Sequence, residues 1–470
     1  MRPVITPEES ARLDAAAEVP EADLLERAGL GVALAATRLG AAYGSKVIVL
    51  AGPGNTGGDG WVAARHLKQR GVDVAVRSLG FPRGDSSPRR AAAIAAVDAG
   101  AQVEDLAVPE AADLVIDALF GSGFHGELPE RVLPWTSHPA PVLAVDLPSG
   151  LDGRDGSAGE AAFKAVHTVT FHALKTGHLV GSGPDLCGEV EVVDIGLRGE
   201  KPVWMLCEGV DAPVPPRSRD AHKWSAGSVA IVGGSPGIGG APMLAGRAAL
   251  EFGAGSVRVL APEGIAPVIA AMDGGVMTAG FGEGSRYDIG DAAAVVAAAE
   301  RFDVMVLGPG IGEGSGPFVD AVLAAWPKPL IIDADALAGL AIESLAKRPS
   351  STVLTPHAGE FRALTGREPV PEAASAVAAE TGAVVLLKGS PTFVFGREAW
   401  VVDSGSSALS TIGTGDVLAG MIAALTARGL DPEVAARSAA FRHGLAGRAL
   451  GGVASVTATG LLDEIGRWAW

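Results

Sequence analysis

Short uninterrupted apolar runs, each closing on glycine or a carboxylate, alternate along this chain with stretches of helical periodicity. Residues 8 to 43 predict amphipathic helices, with Leu24, Leu25, Ala28, Leu30 and Val32 as the apolar set. The run from Lys46 to Ala51 is of the buried-strand kind. It leads into Gly52-Pro53-Gly54-Asn55-Thr56-Gly57-Gly58-Asp59-Gly60, and a helix is expected from Trp61 to about Arg70. Further strands are predicted over 72–76, 114–117, 142–146, 167–171 and 189–194. Two of them end in Asp117 and Asp146, each followed by a glycine-bearing loop. Ligands collect outside the carboxyl ends of strands in an open parallel sheet, so these aspartates and the glycine loop after Ala51 predict one site.

The pattern breaks at 208–220, a proline-rich and charged stretch that reads as a linker, and then restarts. Strands over 228–232, 304–307, 330–332, 352–354 and 384–387 each end in a polar or glycine-rich loop. Those loops are 233–241, 308–312, Asp333-Ala334-Asp335, 355–360 and Lys388 to Thr392, with a helix from Pro242 to Gly253 after the first. The fold class predicted is α/β, with one domain over 1–207, the linker 208–220 and a second doubly wound domain over 221–470.

Charge and cysteine content narrow the function. A net charge of −17 over 470 residues, without a basic tract, argues against nucleic acid and anionic membrane as partners. Two cysteines make neither a disulfide framework nor a zinc site, and no signal peptide or spanning apolar run is visible. A cytoplasmic protein is expected, and self-association is left open.

The chemistry concentrates at Gly413-Thr414-Gly415-Asp416. Val417, Leu418, Met421, Ile422 and Leu425 follow at helical spacing, so the glycines sit at a helix N-terminus that favours an anion. A carboxylate there suits phosphoryl transfer, with backbone N–H groups on the phosphoryl and Asp416 taking the acceptor's proton. An N-capping aspartate after a glycine turn is the alternative. Gly52 to Gly57 satisfies G-x-G-x-x-G, yet the next strand ends at Arg77 where a dinucleotide fold wants an acid. Lys388 is a candidate phosphate contact or a solvated lysine; His357 a site residue or a loop histidine; Glu360 a water-mediated Mg²⁺ partner. Asp333 and Asp335 either share a strand face or start the next helix, and Lys175 has surface solvation as its alternative.

Taken together these stretches resemble the bifunctional NAD(P)H-hydrate repair enzymes over nearly the whole chain. The first half is similar to an NAD(P)H-hydrate epimerase domain through its glycine loop (Thr56 replacing an asparagine), Asp117-Ala-Leu-Phe-Gly and Asp146-Leu-Pro-Ser-Gly. The second half resembles the ADP/ATP-dependent dehydratase through His222-Lys223, Gly239 to Pro242, Gly308-Pro-Gly, Asp333-Ala-Asp-Ala-Leu, Thr355-Pro-His-Ala-Gly-Glu, Lys388-Gly and Gly413-Thr-Gly-Asp. The resemblance implies two three-layer αβα domains, the first Rossmann-like and the second ribokinase-like. It implies substrate contacts from Asn55, Thr56, Gly57, Gly58 and Asp59, from Gly121, Ser122, Gly123, Phe124, His125, Gly126 and Glu127, and from Asp146. In the second half it implies substrate contacts from Ala241, Gly310, His357 and Asp416, and nucleotide contacts from Lys388, Gly389, Ser390, Pro391, Thr392 and Gly415. Potassium would lie among Thr56, Asp117 and Ser149. Asp146 and Asp416 are the expected catalytic residues. The expected substrates are hydrated NADH and NADPH with ADP (or ATP) and Mg²⁺, and K⁺ in the first domain. A ribokinase-like small-molecule kinase with a non-catalytic N-terminal domain is the alternative.

Overall fold

The computed structural model describes residues 2–82, 87–106, 108–220, 222–451 and 456–469. It divides into two compact units, Arg2–Trp204 and Met205–Trp470. The first contains a seven-stranded, all-parallel sheet. Its spatial order is Gln102–Asp105, Asp73–Ser78, Lys46–Ala51, Leu114–Ala118, Val142–Val145, His167–Phe171 and Glu189–Val193. The chain runs outward from Lys46–Ala51 in one direction and resumes at Leu114–Ala118 in the other. The switch point where ligands bind therefore lies between these two strands.

Alternation within a strand explains why a continuous apolar run is needed. Val47, Val49 and Ala51 pack with Val32, Trp61 and Leu67 on one face, while Ile48 and Leu50 meet Leu119, Trp135 and Phe163 on the other. Both faces are covered, so every position is apolar.

The second unit repeats the plan. Its sheet runs Met277–Phe281, Ser256–Pro262, Ser228–Val232, Val304–Leu307, Leu330–Ile332, Thr352–Leu354 and Val384–Leu387, all parallel. An antiparallel pair, Thr392–Phe395 and Ala399–Val402, extends it, and Met205 and Leu206 add alongside Trp400 and Val401. Its switch point lies between Ser228–Val232 and Val304–Leu307. Helix Thr414–Ala427 crosses helix Gly240–Glu251 so closely that a Cβ on Gly420 would stand 2.1 Å from Ala245 O.

Several expectations shift. The glycine stretch is not all loop: helix Asn55–Gln69 begins six residues before Trp61. Its glycines allow close packing, since a Cβ on Gly57 would lie 1.9 Å from Gly52 O and one on Gly60 2.6 Å from Ala118 Cβ. Arg77 falls inside its strand, where its guanidinium pairs with Glu104 and Glu110 instead of facing a ligand. Edge strand Gln102–Asp105 is exposed except at half-buried Val103, and its other three residues are polar, so it carries no apolar run. The helix expected from Pro242 starts at Gly240 and ends at Glu251. The stretch expected as a linker is docked over its first part: Ala212 is buried, and Asp211 O, Ala212 O and Pro215 O accept from Arg437, Arg442 and Arg428.

Candidate functional sites

At the first switch point a cavity of about 1150 Å³ opens above the strand ends. Asn55, Thr56, Asp59, Gly121, Ser122, Gly123, Phe124, His125 and Asp146 line it, as expected residues brought to one place. Gly57 and Gly58 sit behind them in the helix, and Gly126 and Glu127 are not among the lining residues. A Cβ on Gly121 would stand 2.4 Å from Thr56 Oγ1 and 2.8 Å from Asp146 Oδ2, so those two side chains approach over a residue that must lack one.

Asp146 is the most constrained residue here. Its φ of 67° lies in the left-handed region, a conformation that costs a non-glycine residue about 1–3 kcal/mol. Two bonds hold it: its N–H donates to Val169 O at 2.7 Å, and its carbonyl accepts from His178 Nε2 at 2.7 Å. Burial pushes His178 down to about 4, so the ring is neutral and its Nδ1 accepts the Lys175 N–H. The turn re-aims the carboxylate toward Ser122, whose N–H donates to Oδ2 at 2.7 Å, and Thr170, whose hydroxyl donates to Oδ1 at 2.9 Å. Lys175 Nζ lies 2.9 Å from Oδ1 and also donates to Thr170 Oγ1 and Phe171 O. Burial alone would raise the Asp146 carboxyl, but the ammonium and the Ser122 N–H outweigh it and hold it well below the usual range. Asp59 goes the other way, pushed well up by burial and by the Asp146 and Asp14 carboxylates.

Asp117 and Ser149 lie beneath the cavity. Asp117 accepts the Ser149 hydroxyl and N–H, both at 2.7 Å, and the Leu119 N–H at 3.3 Å. Burial still pushes it up to about 6, because no described basic side chain pairs with it.

In the second unit the strand-end loops converge on Lys388. Its Nζ is 2.9 Å from Asp333 Oδ1 and 3.5 Å from Glu360 Oε2, and it would stand 3.3 Å from a Cβ on Gly415. Burial would lower this ammonium, yet the two carboxylates reverse that and hold it above its ordinary value. Asp333 is buried and also accepts the Thr355 hydroxyl at 2.7 Å. Ala334, with φ 53°, turns the chain so that Asp335 starts the helix Asp335–Ala338 and accepts the Gly312 N–H at 3.0 Å. Asp416 lies in the first turn of helix Thr414–Ala427, after Gly413 at φ 90°. Burial pushes its carboxyl up to about 7, helped by Asp333, Asp335 and Glu360 and opposed by Lys388.

The other expected residues arrive by different routes. Gly310, at φ 62°, touches Ala241: a Cβ added there would lie 3.2 Å from Ala241 Cβ. His357 caps helix Ala358–Thr365, its Nδ1 accepting the Gly359 and Glu360 N–H groups while Glu360 accepts the His357 N–H. Gly389, Ser390, Pro391 and Thr392 form the turn after Lys388, closed by the Thr392 hydroxyl on Gly389 O. Sequence reasoning left open or missed three contributors. Lys175 is buried, not solvated; Asp14 lines the first cavity; and neutral His443 donates Nε2–H to Thr414 O at 3.0 Å. Asp14 and His443 stand beside no motif, so only the folded contacts reveal them.

Comparison with known proteins adds an independent line. A family model described as NAD(P)H-hydrate dehydratase matches residues 229–467, and one described as YjeF-related protein N-terminus matches 21–177. A bifunctional NAD(P)H-hydrate repair enzyme of Salinibacter ruber is 38% identical, across 96% of this chain and 92% of its own. One from Escherichia coli is 33% identical, across 89% and 84%. A solved structure of a hypothetical protein from Streptococcus mutans is 27% identical with a TM-score of 0.50, covering 56% of this chain and 98% of its own.

Proposed function

This chain belongs to the family of bifunctional NAD(P)H-hydrate repair enzymes, and from that premise we propose how its two sites divide the work. The enzyme epimerises the R and S hydrates of NADH and NADPH in its first unit and dehydrates the S hydrate in its second. The observation that carries the second assignment is Asp416, a carboxyl raised to about 7 at a helix N-terminus beside Lys388.

The hydrate bears a hydroxyl on C6, and hydroxide leaves poorly. Asp416, poised near neutrality, takes the hydroxyl proton while the oxygen attacks the terminal phosphoryl of the nucleotide. The N–H groups of the Gly413–Gly415 turn and the Lys388 ammonium stabilise the charge that develops on that phosphoryl. Phosphate then departs from C6 with the ring nitrogen's electron pair, and loss of a C5 proton restores the dihydronicotinamide. ADP is the favoured donor, giving AMP and phosphate. Glu360, beside Lys388, would be able to hold the water shell of a Mg²⁺ carried on the nucleotide's phosphates. Such an ion would neutralise phosphate charge.

In the first unit the hydroxyl sits on a carbon bonded to nitrogen, a hemiaminal that can open and reclose. Two carboxyls whose environments drive them apart define the proton traffic. Asp146, held ionised by Lys175, accepts the C6 hydroxyl proton as the C6–N1 bond breaks; Asp59, held protonated, supplies one to the nitrogen. Rotation and reclosure then give the other epimer. Asp117, a buried carboxylate with no basic partner among the described residues, would hold a potassium ion with Ser149; Thr56, whose hydroxyl lies by Gly121, is the third oxygen that the resemblance supplies.

The test uses mixed R and S hydrate with ADP, following the absorbance of the reduced ring and the release of orthophosphate. Complete conversion of both epimers is expected. A stable phosphorylated product would instead identify a kinase.

A further inference from the structure

The cavity of the first unit is walled by carboxylates, among them Asp14, Glu18, Glu21, Asp59 and Asp146, although the dinucleotide hydrate proposed for it is a polyanion. Three basic side chains line it. Lys175 is bound to Asp146 at 2.9 Å, and His125 Nδ1 lies 2.7 Å from Asp152 Oδ2. Arg89 has no acidic partner among the described residues.

Arg89 belongs to helix Pro88–Asp98, and its stem is fixed. A Cβ on Gly58 would stand 2.9 Å from Arg89 Cγ and 2.8 Å from Leu25 Cδ1, so both side chains lie over the space that glycine leaves. Gly58 is in the first turn of helix Asn55–Gln69, its N–H donating to Gly54 O. The Arg89 stem thus lies against the first turn of a helix that begins at Asn55, and its side chain lines the same cavity as Asn55 and Thr56; a guanidinium and a helix N-terminus favour the same anion. The apolar part of the lining, with Val19, Leu24, Ile195 and Leu197, suits a base, and the carboxylates repel a phosphate.

We propose that Arg89 binds the pyrophosphate of the hydrated dinucleotide and sets its affinity for this cavity, an assignment resting on the epimerase reading above. The pyrophosphate is common to NADH and NADPH hydrates, so both gain equally. A guanidinium can meet it with two parallel N–H donors, which a lysine cannot.

The full chain with Arg89→Gln is compared with wild type on the hydrates of NADH, NADPH and nicotinamide riboside, the last lacking phosphate. KM for epimerisation of both dinucleotide hydrates should rise roughly 10- to 100-fold with kcat nearly unchanged, while the riboside hydrate shows no difference. Arg89→Lys should recover part of the loss. Inorganic pyrophosphate should compete with substrate in wild type and lose its grip on Arg89→Gln. An unchanged KM, an equal loss on the riboside, or a loss confined to NADPH hydrate would overturn the proposal. Should the variant fail to fold, absence of competition by pyrophosphate in wild type overturns it alone. A wild type that epimerises none of the three would remove the epimerase reading, and this proposal with it.

Discussion

Lys175 Nζ stands 2.9 Å from Asp146 Oδ1, and neither side chain has more than a tenth of its surface in solvent. Removing one partner of a buried pair leaves the other charge uncompensated, at a cost of about 3–5 kcal/mol. Lys175→Met should therefore lower the denaturation midpoint of the first unit at neutral pH and cut epimerisation roughly 100-fold or more. The depressed Asp146 carboxyl contributes stability that is full above about pH 4, the unfolded value, and fades as pH falls through its folded value. In the variant that contribution is gone, so the deficit should shrink below pH 4. Urea midpoints across pH check this, and an equal deficit at every pH would count against the pair.

Asp416 carries the opposite sign. Its folded carboxyl is raised to about 7, so stability is present at low pH and is lost as pH climbs from the unfolded value near 4 through 7. Asp416→Asn should abolish dehydration, by roughly 10²–10⁴-fold, leave epimerisation intact, and raise the melting temperature above pH 7. Wild-type kcat/KM for dehydration should rise with pH and level off above about 7. Dehydration by the variant within a few-fold of wild type would remove Asp416 from its role.

Where the chain is cut should matter. A fragment 205–470 keeps the backbone acceptors of Asp211, Ala212 and Pro215 for Arg437, Arg442 and Arg428, and should dehydrate alone. A fragment starting at 217 takes those three acceptors away and should melt lower. Equal melting curves would show that the docked stretch contributes nothing.

Potassium dependence is the fourth expectation. A monovalent cation at Asp117 depends on that carboxylate's charge more than on one neutral ligand. Thr56→Asn should lower the potassium concentration for half-maximal epimerisation, and Asp117→Ala should remove the dependence with most of the activity. Full epimerisation with a large organic cation as the sole counter-ion would exclude a working potassium site.

What the sequence made legible follows from locality. Gly413 to Asp416, the Lys388 turn and the Asp146 strand end are each contiguous, so pattern and spacing found them. The glycine stretch after Ala51 misled because glycine was read as loop, whereas Gly57 and Gly60 serve close helix packing. Lys175 was left open between a site and solvent, and His443 escaped, because their roles depend on partners 29 residues away, at Asp146 and Thr414. Asp333 was visible as a strand end, but its pairing with Lys388 spans 55 positions and exists only in the fold.

Helix Thr414–Ala427 has 11 of its 14 residues buried, and Asp416 rides on its first turn. Many enzymes are inactivated by heat before they melt, because a mobile loop loses its shape first. Here Asp416, the proton acceptor we propose, is half-buried but carried by one of the most enclosed elements of its unit. Dehydration should consequently survive warming until the unit itself melts, and its heat-inactivation curve should overlay the curve of structural loss.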